Sequence, residues 1–139
     1  MTDNPAPITG LESKFSIYHA AAIALLYGEA TPSQFLDDVA KNSTVIELRG
    51  KVNVTSDDTV EEHEAFVSAT FADGTTLDVH AEHTIGSYEN PLTADQLKTK
   101  FLDQVGTVIA ETGAEKAWVT FSTIVNATDV AEAVRLSRI

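Results

Sequence analysis

Three residues near the start of one apolar stretch carry the groups best suited to chemistry. In "SKFSIYHAAAIALLYG", residues 13–28, Lys14, Tyr18 and His19 supply an ammonium, a phenol and an imidazole. On an ideal helix Lys14 and Tyr18 share a face, and His19 lies about 100° further round. An ammonium beside a phenol and an imidazole is able to bind a carboxylate and move a proton at the neighbouring carbon. The plainer account makes Lys14 a solvated first-turn residue, with Tyr18 and His19 satisfying hydrogen bonds in a core. Spacing alone leaves both accounts open.

The remaining polar clusters are weaker. "HAEH", His80–His83, sets His80 and Glu82 on one face of a strand and turns His83 away, so the expectation is a solvated sheet face and no metal site. "HAE" matches the first half of the zinc-deaminase signature, but the second half needs cysteines that this chain does not have. His63, in "TVEEHEA", is expected at an exposed loop or strand edge. The loop "GSYENPLTADQ" leads into a helix start whose free N–H groups could cradle an anion, yet Asp95 already occupies that field, so it is expected to be a plain capping loop. Trp118 and Phe121, three apart, suit a core or a dimer contact.

Composition narrows the setting in which these residues act. The chain has 139 residues, about one domain, with 43% hydrophobic and 22% charged residues, as in ordinary globular proteins. With no cysteine, disulfides, thiolate nucleophiles and cysteine-ligated metals are ruled out. The net charge of −12 repels phosphate backbones and anionic headgroups, so no nucleic acid and no membrane partner is expected. Any anion site must therefore be built locally from Lys, Arg or helix starts. The first residues lack a basic n-region and an apolar core, and the longest apolar run, "AAAIALLYG", is far short of a span. A cytoplasmic location is the expectation.

The elements that must position these groups follow from periodicity. Residues 1–12, with Pro5, Pro7 and Gly10, read as an extended tether and a cut point from a longer protein, leaving 13–139 as the domain. A helix is predicted from Ser13 as N-cap to Tyr27, with Gly28 beyond its end. It is apolar nearly all round, the pattern of a helix surrounded by protein. "TPSQFLDDVA" opens with Thr31 as cap and Pro32 at the first position, and "NSTVIELRG" suits a short helical turn. The period then falls to two at Val52 and Val54, again over 65–71, and again over 77–81 after the Asp73-Gly74 turn. Thr93 and Gln96 fit a capping box ahead of a helix, and further helices are predicted over 114–125 and 129–138, the last capped by Thr128. The predicted fold class is α+β: a three- to four-stranded antiparallel sheet with helices before and after it.

The runs "TGLESKFSIYHAAAIALLYGEATPSQF" and "ADGTTLDVHAEHTIGSYENPLTADQLKTKF" combine several distinctive blocks. They are a KFS-type helix start, a small-residue helix ending in Gly, a DG hairpin, a G-x-x-x-x-P-L loop and a K-F helix at Lys100-Phe101. Together, over roughly residues 9–137, they resemble the C-terminal domain of the MmgE/PrpD family, which includes 2-methylcitrate dehydratase, cis-aconitate decarboxylase and iminodisuccinate epimerase. The resemblance implies a longer parent protein, a homodimer, in which an all-helical domain supplies most acid–base residues and forms the active-site cleft with this one. It implies a small polycarboxylate substrate, proton abstraction next to a carboxylate, and no metal or organic cofactor. It also implies a site at the KFS start: Lys14 for substrate binding, and His19 with Tyr18 for catalysis. Many members carry tyrosine three residues after the serine; here Ser16 plus three is His19, and Tyr18 precedes it. That departure points to a different proton-transfer partner or substrate. The implied function is therefore a fragment of a lyase or isomerase, 2-methylcitrate dehydratase-like and inactive as an isolated domain. The alternative is a non-catalytic dimerisation or binding module that has lost its helical partner.

Overall fold

The structure, a computed structural model, describes residues 3–136. Two units separate along the chain: one holds residues up to Val54 and from Lys98 onward, the other Thr55–Leu97.

The first unit opens with a short helix α1 (Gly10–Ser13) and, after a break, helix α2 (Ile17–Tyr27). The single helix expected from Ser13 is thus two pieces, and the cap of the long one is Ser16. Its side chain accepts from the His19 N–H at 3.1 Å and donates to the Asn4 carbonyl oxygen. Ser13 is not free to cap, because its hydroxyl donates to the Gly10 carbonyl at 2.7 Å. At the far end Gly28, with φ of 75°, takes the left-handed conformation that stops α2. Residues 3–9 contact the rest of this unit: Asp3 forms a β-bridge with Ser16, and Pro7 is fully buried.

Three short elements follow: a 3-10 turn (Pro32–Phe35), α3 (Asp37–Ala40) and α4 (Ser43–Arg49). Thr31 opens the turn as expected, its N–H donating to Gln34 Oε1 at 2.9 Å. Asn42 caps α4, accepting from Thr44 N–H at 2.9 Å and Val45 N–H at 3.3 Å. Gly10 marks the closest approach between α1 and this group. A Cβ there would collide with the Phe35 carbonyl oxygen, and the Gly10 N–H donates to Asp37 Oδ1 at 2.8 Å. Ala22 and Ile23 of α2 pack on Val45 of α4, with Phe35, Val39 and Leu48 around them.

One stripe of α2 is therefore covered and the rest is not. His19, Ala22 and Ile23 are buried, whereas Leu25 is 49% exposed and Leu26 and Tyr27 are similarly open. Envelopment on all sides, expected from its composition, is not what these residues provide.

The second unit contains a hairpin, β1 (Ala65–Thr70) paired antiparallel with β2 (Thr76–Ala81), in register Val67 opposite Val79 and Phe66 opposite His80. Gly74, φ 84°, closes the turn, and Asp73 Oδ1 accepts from Thr75 N–H at 2.9 Å. The described residues hold these two strands, not three or four. Val52 and Val54, expected to form a strand, do not, because the chain there is still unwinding from α4. The N–H groups of Lys51 and Val52 donate back to the carbonyls of Leu48 and Arg49.

Helix α5 (Ala94–Val105) starts on the expected box, Thr93 N–H donating to Gln96 Oε1 at 2.9 Å and Gln96 N–H to Thr93 Oγ1 at 3.2 Å. Helices α6 (Glu111–Ser122) and α7 (Val130–Leu136) complete the α+β chain. The acceptor at the start of α7 is Asp129, bonded to Ala131 N–H at 2.9 Å, one residue beyond the expected Thr128. The expected end of this helix at 138 lies outside the described residues. No helix among the described residues is long and apolar enough to cross a membrane.

Candidate functional site

Of the three residues singled out by the sequence, Tyr18 and His19 lie in the first turn of α2 and Lys14 in the break before it, in three different environments. His19 is fully buried. Its Nε2 lies 3.0 Å from the Gln34 carbonyl oxygen, which accepts only, so Nε2 is the donor. Nδ1 is sealed from solvent with no partner among the described residues. The ring also lies against Phe35, with centroids 5.6 Å apart. His19 thus joins α2 to the 3-10 turn.

Tyr18 is half-buried on the next position of the helix, and its hydroxyl donates to Asp3 Oδ1 at 3.3 Å. Desolvation, and then the charge and hydrogen bond of Asp3, hold the phenol above its ordinary value. At neutral pH Tyr18 is accordingly a proton donor, not a base. Lys14 is exposed, and no ion pair engages its ammonium among the described residues. It stands in the break between α1 and α2, ahead of the Ser16 cap. The helical spacing that put it on one face with Tyr18 does not apply across that break. No hydrogen bond among the described residues joins Lys14, Tyr18 and His19 to one another.

The other sequence candidates resolve into packing. His80 stacks on Phe66 at 4.0 Å across the hairpin, and its Nε2 lies 3.8 Å from Glu64 Oε1. His83 stacks on His63 at 5.1 Å with 9° between the planes. The Thr93–Gln96 box occupies the start of α5, and Trp118 and Phe121 pack around Phe101 at 5.5 and 6.2 Å.

Sequence reasoning overlooked Arg49, the last residue of α4, which is 6% exposed with no carboxylate partner among the described residues. The available signal was its place four residues after Val45, on the core-facing stripe.

No curated protein matches this sequence closely enough to serve as a relative. Residues 1–124 match the MmgE/PrpD C-terminal domain, a span that includes Lys14, Tyr18, His19 and Arg49. The match covers most of the chain, and the docked N-terminal segment, the capped α2 and the hairpin all fall within it; the chain belongs to the MmgE/PrpD C-terminal domain family.

Proposed function

We propose that this chain is the substrate-closing part of a cytoplasmic, homodimeric MmgE/PrpD-type lyase or isomerase that acts on a small polycarboxylate, in the manner of 2-methylcitrate dehydratase. Family membership supports the reading, and the observation that carries it is the state of α2. Ile17 and Leu25 leave apolar surface in water on the side of α2 that carries Tyr18, and Phe15 before the helix and Leu26 and Tyr27 at its end are exposed as well. Apolar surface left open in this way marks a contact surface, and the all-helical domain of the parent is the partner the family supplies. In this reading Lys14 holds a substrate carboxylate. A base from the helical domain removes the proton next to a carboxylate, the hydroxyl leaves as water, and a carbon–carbon double bond forms. Tyr18, protonated at neutral pH, donates to the departing oxygen. His19 acts behind it as a positioning residue: its backbone N–H donates to Ser16 Oγ, and its enclosed ring bonds the Gln34 carbonyl oxygen.

The test is turnover of 2-methylcitrate by the 139-residue chain alone and together with the helical domain of its parent. The chain alone is expected to be inactive and the assembled protein active, with Tyr18→Phe lowering kcat by about 100-fold. Turnover by the isolated chain, or an unchanged Tyr18→Phe rate in the assembly, overturns the reading. The burial of His19 favours the second possibility, a non-catalytic dimerisation or binding module. It predicts that the assembly forms but turns over no polycarboxylate.

A further inference from the structure

Arg49 breaks the rule for buried positions. Helix α4 turns Val45 into the core against Ala22 and Ile23, and Arg49 extends that stripe by one turn. A guanidinium taken from water needs a carboxylate or several hydrogen bonds in return. Arg49 has one bond, from Nη1 to the Ala40 carbonyl at 3.5 Å, at the limit of a useful contact. Its place in the last turn of α4 sets it at the negative end of that helix, which offsets part of the desolvation.

Acid is not scarce here, for the chain carries 21 Asp and Glu. Yet among the described residues the Lys and Arg ion pairs engage Lys41, Lys51, Lys98 and Arg135, and none reaches Arg49. Burial lowers its proton affinity from the ordinary value, but a guanidinium remains charged at any physiological pH. Among the described residues the sealed side-chain nitrogen or oxygen lacking a partner is His19 Nδ1. The remaining guanidinium donors are therefore in reach of solvent, although the aliphatic shaft is covered.

We propose that Arg49 is an anion receptor, whose guanidinium grips one carboxylate group of a small polycarboxylate through two parallel N–H···O bonds. The planar fork matches a carboxylate edge. The net charge of −12 repels anions at long range, so the grip must be local, which a sheltered, unpaired guanidinium provides. The choice of a polycarboxylate rests on the proposed function, whereas the sheltered guanidinium without a carboxylate partner is seen independently of it.

The experiment is a titration of the 139-residue chain with citrate, following the assigned Nε–Hε signal of Arg49 by NMR. Sodium chloride at matched ionic strength serves as the control. A saturable movement of the Arg49 signal with citrate and not with chloride is expected. Arg49→Lys keeps the shaft and the charge but loses the fork, and is expected to bind citrate about tenfold more weakly. A still Arg49 signal overturns the proposal, as does an Arg49→Lys protein that binds citrate like the parent. If Arg49→Lys loses its helical circular dichroism, the unsubstituted chain decides alone. Movement of Arg49 ahead of the exposed Arg135 supports the receptor, and both moving together overturns it. None of these readouts depends on turnover, so failure here and failure of the enzymatic reading are separable.

Discussion

Asp37 shows how one exposed carboxylate joins two segments. Its Oδ1 accepts the Gly10 N–H at 2.8 Å and its Oδ2 pairs with Lys41 at 3.0 Å. The Gly10 N–H first, and then the Lys41 ammonium, hold the carboxyl below its ordinary value. In the unfolded chain that proton binds more readily, so folding gains stability as Asp37 ionises. The contribution is fully present above the ordinary carboxylate value of about 4, and it is lost as pH falls through the lower folded value. Asp57 and Asp73, each held down by a neighbouring threonine hydroxyl and N–H, add to the same acid limb. Asp37→Asn should therefore flatten, without abolishing, the fall in urea midpoint between neutral pH and pH 2. Parallel midpoint curves for the two proteins would show that the Gly10–Asp37–Lys41 link carries no net stability.

At the scale of elements, α2 depends on its cap. Ser16 is 2% exposed, and replacing it by Ala strands the His19 N–H without an acceptor and removes the bond to Asn4. Ser16→Ala is expected to cost about 1–2 kcal/mol, read as a lowered denaturant midpoint with unchanged slope. A loss within experimental error would mean that tertiary contacts, not the cap, hold the start of α2. The same residue shows where sequence reading stopped. Ser13 and Ser16 are equally good caps on local grounds, and the choice between them rests on the Asp3–Ser16 bridge and the Ser13–Gly10 bond. Local chemistry did specify the Asp73-Gly74 turn with its hairpin and the Thr93–Gln96 box, because each is closed by residues three or fewer apart. Val52 looked like a strand residue because alternation is blind to the helix end just before it. The candidate site was legible as residue types but not as environments. That His19 lies on the covered stripe with Ala22 and Ile23 follows from helical spacing, whereas its bond to Gln34 is a tertiary fact.

Charge is divided unevenly along the whole chain. All nine Lys and Arg lie outside Thr55–Leu97, while that stretch carries ten of the 21 acids. The hairpin within it has no third strand among the described residues, and Phe66, Val67, Leu77 and Val79 are about half exposed or more. A two-stranded hairpin with both faces in water is marginal by itself, and like charges packed at this density oppose it further. The α2–α4 group, by contrast, encloses Ile23 and Val45 completely. Opening free energies should differ accordingly. In hydrogen exchange at neutral pH, amides of β1 and β2 are expected to exchange well before those of α2 and α4. Salt screens exposed like charges over roughly 10 Å at 0.1 M, so adding it should slow exchange in the hairpin more than in α2. If the hairpin is as protected as α2, or indifferent to salt, then neither its missing neighbours nor its charge limits its stability. The exposed apolar faces would then be a finished surface and not one that waits for a partner.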